Sequence, residues 1–166
     1  MIRDFDNITP QIHETAFVAP NSTVIGNVVL GEKSTIWYNA VLRGDIDSII
    51  VGDNTNIQEG CILHCKKGVA LRVGSNVTIG HGAILHSCSI GNNTLIGMGA
   101  IVLDESEIGN NCLIAAGSVV TSRSKIPDGS LIAGSPAVIK RVLSEQEILE
   151  IKNNAKEYIN LLKYYK

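Results

Sequence analysis

Aromatic residues are scarce in this chain of 166 residues, which has two Phe, one Trp and four Tyr. That excludes a core of large rings, and with hydrophobic residues at 45% the interior must be built from Ile, Val, Leu and Ala. Together with 16 glycines, this composition suits neither a sandwich nor a helical bundle. No apolar run approaches the roughly 18 residues a membrane-spanning helix needs. The opening MIRDFDNITP has neither the basic nor the apolar region of a signal peptide, so the expected setting is cytoplasmic, with no membrane partner. Basic clusters are missing too: 14 Lys and Arg are scattered among 16 Asp and Glu, a net charge of −2, which leaves no electrostatic footprint for nucleic acid. The four cysteines, Cys61, Cys65, Cys88 and Cys112, lack both CxxC spacing and the density of a disulfide scaffold. They read as reduced, small buried thiols, although His64 beside the first two and His86 beside Cys88 leave a metal or redox role open.

What the chain has instead is a repeat of six. From Ile90, steps of six reach Ile96, Val102, Ile108, Ile114, Val120, Ile126, Ile132 and Val138, every one Ile or Val. Upstream, Ile12, Val18, Val24, Leu30, Ile36 and Leu42 keep the step, then Val51, Ile57 and Leu63, then Val73, Ile79 and Leu85; it breaks only at 42–51, 63–73 and 85–90. Six matches neither the 3.6 period of a helix nor the 2 of a strand. It fits a solenoid in which every six residues form one face of a triangular coil, with one aliphatic side chain inward, about 18 residues per turn and turns stacked at about 4.8 Å. Glycine follows the inward residue at 52, 74, 80, 91, 97 and 109, where a side chain would crowd the next turn. The fold class expected is an all-β solenoid, a parallel β-helix over residues 1–142. Residues 143–166 differ: Ser144 and Glu147 make a capping box, and Leu143, Ile148, Ile151, Ala155, Tyr158 and Leu162 form a helical stripe. This C-terminal α-helix should pack on the prism or on a neighbouring subunit.

The repeat allows histidines to be superposed. His64 and His86 are 22 apart, and four residues are looped out between Leu63 and Val73, so the two stack one turn apart, each just after an inward Leu. The same arithmetic places Arg43 beneath His64. His81 has another phase, two residues after Ile79, with Glu59 beneath it and Gln58 alongside. His81 and His86 lie five residues apart on an extended face, about 12 to 16 Å, whereas nitrogens sharing one zinc each lie about 2.0 to 2.1 Å from it. One subunit cannot gather all three. If they share an ion, His81 comes from another copy, and a head-to-tail contact that closes on a triangular prism gives a homotrimer. His13, upstream of the pattern, reads as a surface residue.

RGD at 43–45, NIQEGCILH at 56–64, GHGAILH at 80–86, IGMGAIVLD at 96–104 and AGSPAVIKR at 133–141 resemble the gamma-class carbonic anhydrase family, within the left-handed β-helix hexapeptide superfamily. The similarity runs from about residue 8 to the terminal helix, and the histidine set is its most specific part. The resemblance implies the left-handed coil, which periodicity does not give. It further implies that His64 and His86 of one subunit and His81 of the next hold Zn2+ or Fe2+, with water completing the shell, and that the metal hydroxide hydrates CO2 to bicarbonate. Arg43 would pair with Glu59 across the interface, as a catalytic or a purely structural pair, Asp45 would support Arg43 or the interface, Gln58 would hydrogen-bond the reacting hydroxide, and Asn56 would stand behind it.

Two departures from the family's pattern imply weak or absent hydration. Position 59 is Glu where the family commonly has Asp. The glutamates that active members carry after RGD and in an acidic loop after the first metal histidine are replaced by Ile46 and by the basic segment CKKGVA. Tyr158 is a substitute proton shuttle or simply a helix-packing residue. Two other functions compete: an acyl-CoA-dependent acyltransferase or thioesterase, as other hexapeptide proteins are, and a non-enzymatic trimeric metal-binding scaffold. The latter usually takes four protein ligands, which would require Cys65 to join.

Overall fold

The computed structural model describes residues 1–165 and is a parallel β-solenoid of about seven turns with a single C-terminal helix. One face carries the first halves of Thr23–Leu30 and Val41–Val51, then Ile62–His64, Ile84–His86, Ile101–Val102 and Val119–Val120. The second carries Gln11–Ile12, the remaining halves of the two long strands, Leu71–Val73, Ser89–Ile90, Glu107–Ile108 and Lys125–Ile126. The third runs Phe17–Val18, Thr35–Ile36, Asn56–Ile57, Thr78–Ile79, Leu95–Ile96, Leu113–Ile114 and Ser130–Gly134.

The hexapeptide positions make the core: Ile36, Leu42, Ile57, Leu63, Ile79, Leu85, Ile96 and Ile114 are all 0% exposed. The thiols fill the same interior. Cys61 shares an inner corner with Ala40, Ala83 and Ala100, all fully buried, and all four cysteines are free. The register breaks fall where the spacing puts them. Gly26 pairs with Gly44 but Val28 with Ile49, so residues 45–48 bulge out after Gly44. The next insertion closes on itself through an antiparallel bridge between Lys66 and Val69.

The repeat ends one step earlier than counting suggests. Ile132 is the last inward residue, whereas Val138 is 52% exposed, because Ala137–Val142 turns back antiparallel along Ser130–Gly134. The helix Glu145–Leu161 follows, with both arms of the Ser144–Glu147 capping box in place. Arg141 grips the Glu147 carboxylate with two hydrogen bonds, of 2.8 and 2.7 Å, and these hold its pKa down at about 2. Leu143, Ile151, Ala155 and Leu162 are buried, and the helix lies on its own prism's third face, where Tyr158 meets Trp37 edge-on with ring centroids 5.7 Å apart.

The three faces thus differ outside. The third is covered by the helix, and the second shows solvent the polar Arg72, Glu107 and Lys125. The first shows an aliphatic row, with Ile62 45% and Ile84 36% exposed and Val41, Ile101 and Val119 half-buried beside them.

Stacking this close makes the glycines after inward residues obligatory. A Cβ on Gly91 would stand 2.6 Å from both the carbonyl carbon and oxygen of Gly109 in the next turn. No rotamer relieves a clash between backbones. Gly91→Ala is expected to lower stability by about 2–3 kcal/mol, seen as a lower denaturant midpoint at unchanged m-value.

Candidate metal centre

The first column forms as the register requires: Arg43 pairs with His64 and His64 with His86 along the parallel ladder. The imidazoles tilt toward each other with centroids 5.2 Å apart, and His64 Nδ1 lies 3.2 Å from His86 Nε2. Nitrogens this close must share either a proton or an ion. Each ring is held from behind. His64 Nε2 faces Asp45 Oδ1 at 3.1 Å, and His86 Nδ1 hydrogen-bonds Asp104 Oδ1. Asp45 lies in the bulge after Gly44, so its carboxylate reaches both His64 and Arg43, whose Nη1 donates to Asp45 Oδ2 at 2.6 Å. Burial pushes the Asp45 pKa up, but the hydrogen bonds from Arg43 and His64 outweigh it and leave a net lowering.

The second column stands at the opposite edge of the first face. His81 Nδ1 lies 2.7 Å from Glu59 Oε2 in the turn below. That oxygen is buried yet has no aligned hydrogen bond. Gln58 is 5% exposed; its Nε2 donates to Asn56 Oδ1 at 3.1 Å and its Oε1 accepts the His81 N–H at 3.2 Å. Gln58, His81 and Tyr158 line one cavity of about 370 Å³, walled by Leu95, Leu113 and Met98. Tyr158 therefore packs on Trp37 and also borders this cavity; burial, and then the charges of Glu59 and Glu157, raise its pKa. His13 is exposed and bonded to Thr15, away from both columns.

Within one chain the structure brings His64 and His86 together and keeps His81 apart. Among the described residues no three His, Cys, Asp or Glu side chains gather to hold an ion. The donor set nevertheless fits a shared metal. Every histidine of the trio has one nitrogen beside a carboxylate, Asp45, Asp104 or Glu59, which orients the ring and leaves its other nitrogen for a ligand bond. The 3.2 Å separation in the first column is close to the edge of a tetrahedral zinc shell, about 3.3 Å for bonds of about 2.0 to 2.1 Å. Cys65 does not join, since its Sγ points into the core toward the carbonyls of Asp47 and Ser48. Burial raises the thiols of Cys61 and Cys88 to about 11 and about 12, so they stay protonated and are poor ligands.

Asp104 was not among the residues singled out by spacing. The available signal was its place 18 residues after His86, at the end of IGMGAIVLD.

A family model described as "Bacterial transferase hexapeptide (six repeats)" matches residues 9–44 and 87–122. A carbonic anhydrase of Geobacillus kaustophilus is 46% identical over all of this chain and 91% of its own length. The mitochondrial gamma carbonic anhydrase 2 of Arabidopsis thaliana is 41% identical over 92% of this chain and 57% of its own. Among solved structures, a hexapeptide transferase family protein from Anaplasma phagocytophilum superposes with a TM-score of 0.95 at 41% identity, covering 99% of this chain and 98% of that one. With relatives of this identity spanning nearly its whole length, and with the hexapeptide coil and its histidine columns in place, the chain belongs to the gamma-class carbonic anhydrase family.

Proposed function

We propose that the protein is a homotrimeric metalloprotein that hydrates CO2 to bicarbonate, with Zn2+ or Fe2+ held by His64 and His86 of one subunit and the partner subunit's His81. The observation that carries this reading is the placement of two half-sites on opposite edges of one bare aliphatic face. Covering that face with a second copy buries its Ile and Val row. It also brings the first column of one copy to the second column of the other, and repetition of such a contact closes a ring. The side chain of Arg43 is 44% exposed and so can reach past Asp45 to the partner subunit's Glu59, whose carboxylate supplies the matching charge beside His81.

A bound zinc would supply a hydroxide near neutral pH by lowering the pKa of water to about 7. The protein's own groups do the rest. Asp45, Asp104 and Glu59 fix the three rings. Gln58 turns its carbonyl oxygen toward the His81 edge, where it can accept a hydrogen bond from the reacting water and aim the lone pair at CO2. Asn56 holds Gln58 in that orientation.

Proton release is the weak step. Ile46 takes a position where active members have a carboxylate. In the basic loop, Lys66 is tied to Glu105 at 2.5 Å, and that hydrogen bond, with the Lys66 and Arg123 charges, holds Glu105 below the ordinary carboxylate range. Tied to Lys66 in this way, the Glu105 carboxylate does not hang free to carry protons from the site. The metal-loaded protein is expected to hydrate CO2 in a stopped-flow assay, to lose activity on chelation, and to turn over faster as imidazole buffer is raised. Metal retention with no hydration would favour the scaffold. Acetyl-CoA turnover with no hydration would favour the acyl-CoA reading, for which the cavity beside His81 offers room.

A further inference from the structure

One file of hydrogen-bonded side chains runs from the C-terminal helix to the proposed reaction site. Thr78 Oγ1 donates to Asn154 Oδ1 at 2.9 Å, and Asn56 Nδ2 donates to Thr78 Oγ1 at 2.8 Å. Gln58 Nε2 then donates to Asn56 Oδ1 at 3.1 Å, and the His81 N–H to Gln58 Oε1 at 3.2 Å. Asn56, Thr78 and Gln58 are buried, at 1, 3 and 5% exposure, so an amide turned the wrong way would lose its partner without replacement from bulk solvent.

The file has a direction. Thr78 has one hydroxyl proton, and giving it to Asn154 leaves the oxygen lone pairs for the Asn56 NH2. That turns the Asn56 carbonyl toward Gln58, and so turns the Gln58 carbonyl toward His81 and the cavity. Without an acceptor on the helix, the Thr78 proton is left to turn back on Asn56. Two successive amide reversals would then set the Gln58 NH2 against the His81 N–H, donor against donor. Val77 O, 3.4 Å from Asn56 Nδ2, resists the reversal midway, and Asn154 removes its cause.

We propose that Asn154 is a positioning residue: by accepting the Thr78 proton, the docked C-terminal helix sets which end of Gln58 faces the reacting water. The inference rests on the reading of Gln58 as a group at the reaction site. With the carbonyl forward, Gln58 accepts from the water and leaves its lone pair to attack CO2; with the NH2 forward it would occupy that lone pair.

The test compares Asn154→Leu, which has no acceptor, with Asn154→Asp, which keeps one, in the full-length protein. Asn153→Leu, at the exposed neighbouring position, serves as control. The first readout needs no metal: the side-chain amide signals of Gln58 and Asn56 in 15N NMR, assigned by their loss in Gln58→Glu and Asn56→Asp. Asn154→Leu is expected to shift the Gln58 signal and speed its proton exchange by about tenfold or more, while Asn154→Asp restores both. In hydration, kcat should fall by about tenfold with KM unchanged in the Leu variant and recover in the Asp variant. If Asn154→Leu fails to fold, Asn154→Ala removes the same acceptor without added bulk and should move the same signal. A Gln58 amide that responds no more to Asn154→Leu or Asn154→Ala than to Asn153→Leu overturns the proposal. Absence of hydration in the wild type would instead overturn the reading of the site, and the amide signals would still decide the role of Asn154.

Discussion

His81→Ala is expected to strip the metal from sites whose two other histidines it never touches within its own chain. The imidazoles of His64 and His86 stand 3.2 Å apart at one edge of the first face, while His81 pairs with Glu59 at the other. On the proposed arrangement the substitution leaves the His64–His86 half-site of its own chain intact and removes the third ligand from a neighbour's. Removing an outer-shell partner of a metal ligand typically costs 10- to 100-fold in affinity, so loss of a ligand should lower affinity by more than about 100-fold. Because the His81 side chain is 49% exposed in the single chain, stability in the metal-free state should hardly change. Metal analysis after desalting, paired with metal-free thermal melts, reads both. A full complement of metal in His81→Ala would show that the ion, if bound, sits elsewhere.

The second large effect is on assembly. Ile62 and Ile84 project outward, 45 and 36% exposed, between the two columns. Ile62→Glu with Ile84→Glu should leave the coil folded, since neither side chain is inward. Two unpaired carboxylates would then have to be buried at each contact between copies, at several kcal/mol per ion. Sedimentation equilibrium should show a monomer where the wild type is expected to be a trimer, and metal content should collapse although His64, His81 and His86 are all present. A trimer that survives this pair of charges would place the interface on another face.

Much of this arrangement was legible in the sequence because the coil converts spacing into position. Looped-out residues at 42–51 and 63–73 can be subtracted, after which the stacking of Arg43, His64 and His86 and the separate phase of His81 with Glu59 are arithmetic, and the ladder has that register. The bare first face and the polar second face emerge only once the strands are assigned to faces. Where the period stops, arithmetic fails. Val138 keeps the step of six but lies on a strand that reverses, which spacing cannot register. Asp104 reaches His86 through a side-chain bond rather than through the ladder. Asn154 meets Thr78 only because of how the helix is rotated on the third face, and the helical stripe fixes that rotation no better than one residue in either direction.

The proposed sharing of one site by two chains can be tested by complementation. His64→Ala and His81→Ala subunits, each unable to build a site alone, are mixed in equal amounts, unfolded, refolded together and dialysed against zinc. In a closed ring of three, every mixed trimer contains one contact that joins an intact His64–His86 column to an intact His81. About three quarters of randomly assembled trimers are mixed, so about one quarter of the wild-type metal content should return. The separately refolded variants should recover none. If the co-refolded mixture binds no more metal than the two variants apart, the proposal that the third imidazole crosses from one subunit to the next is wrong.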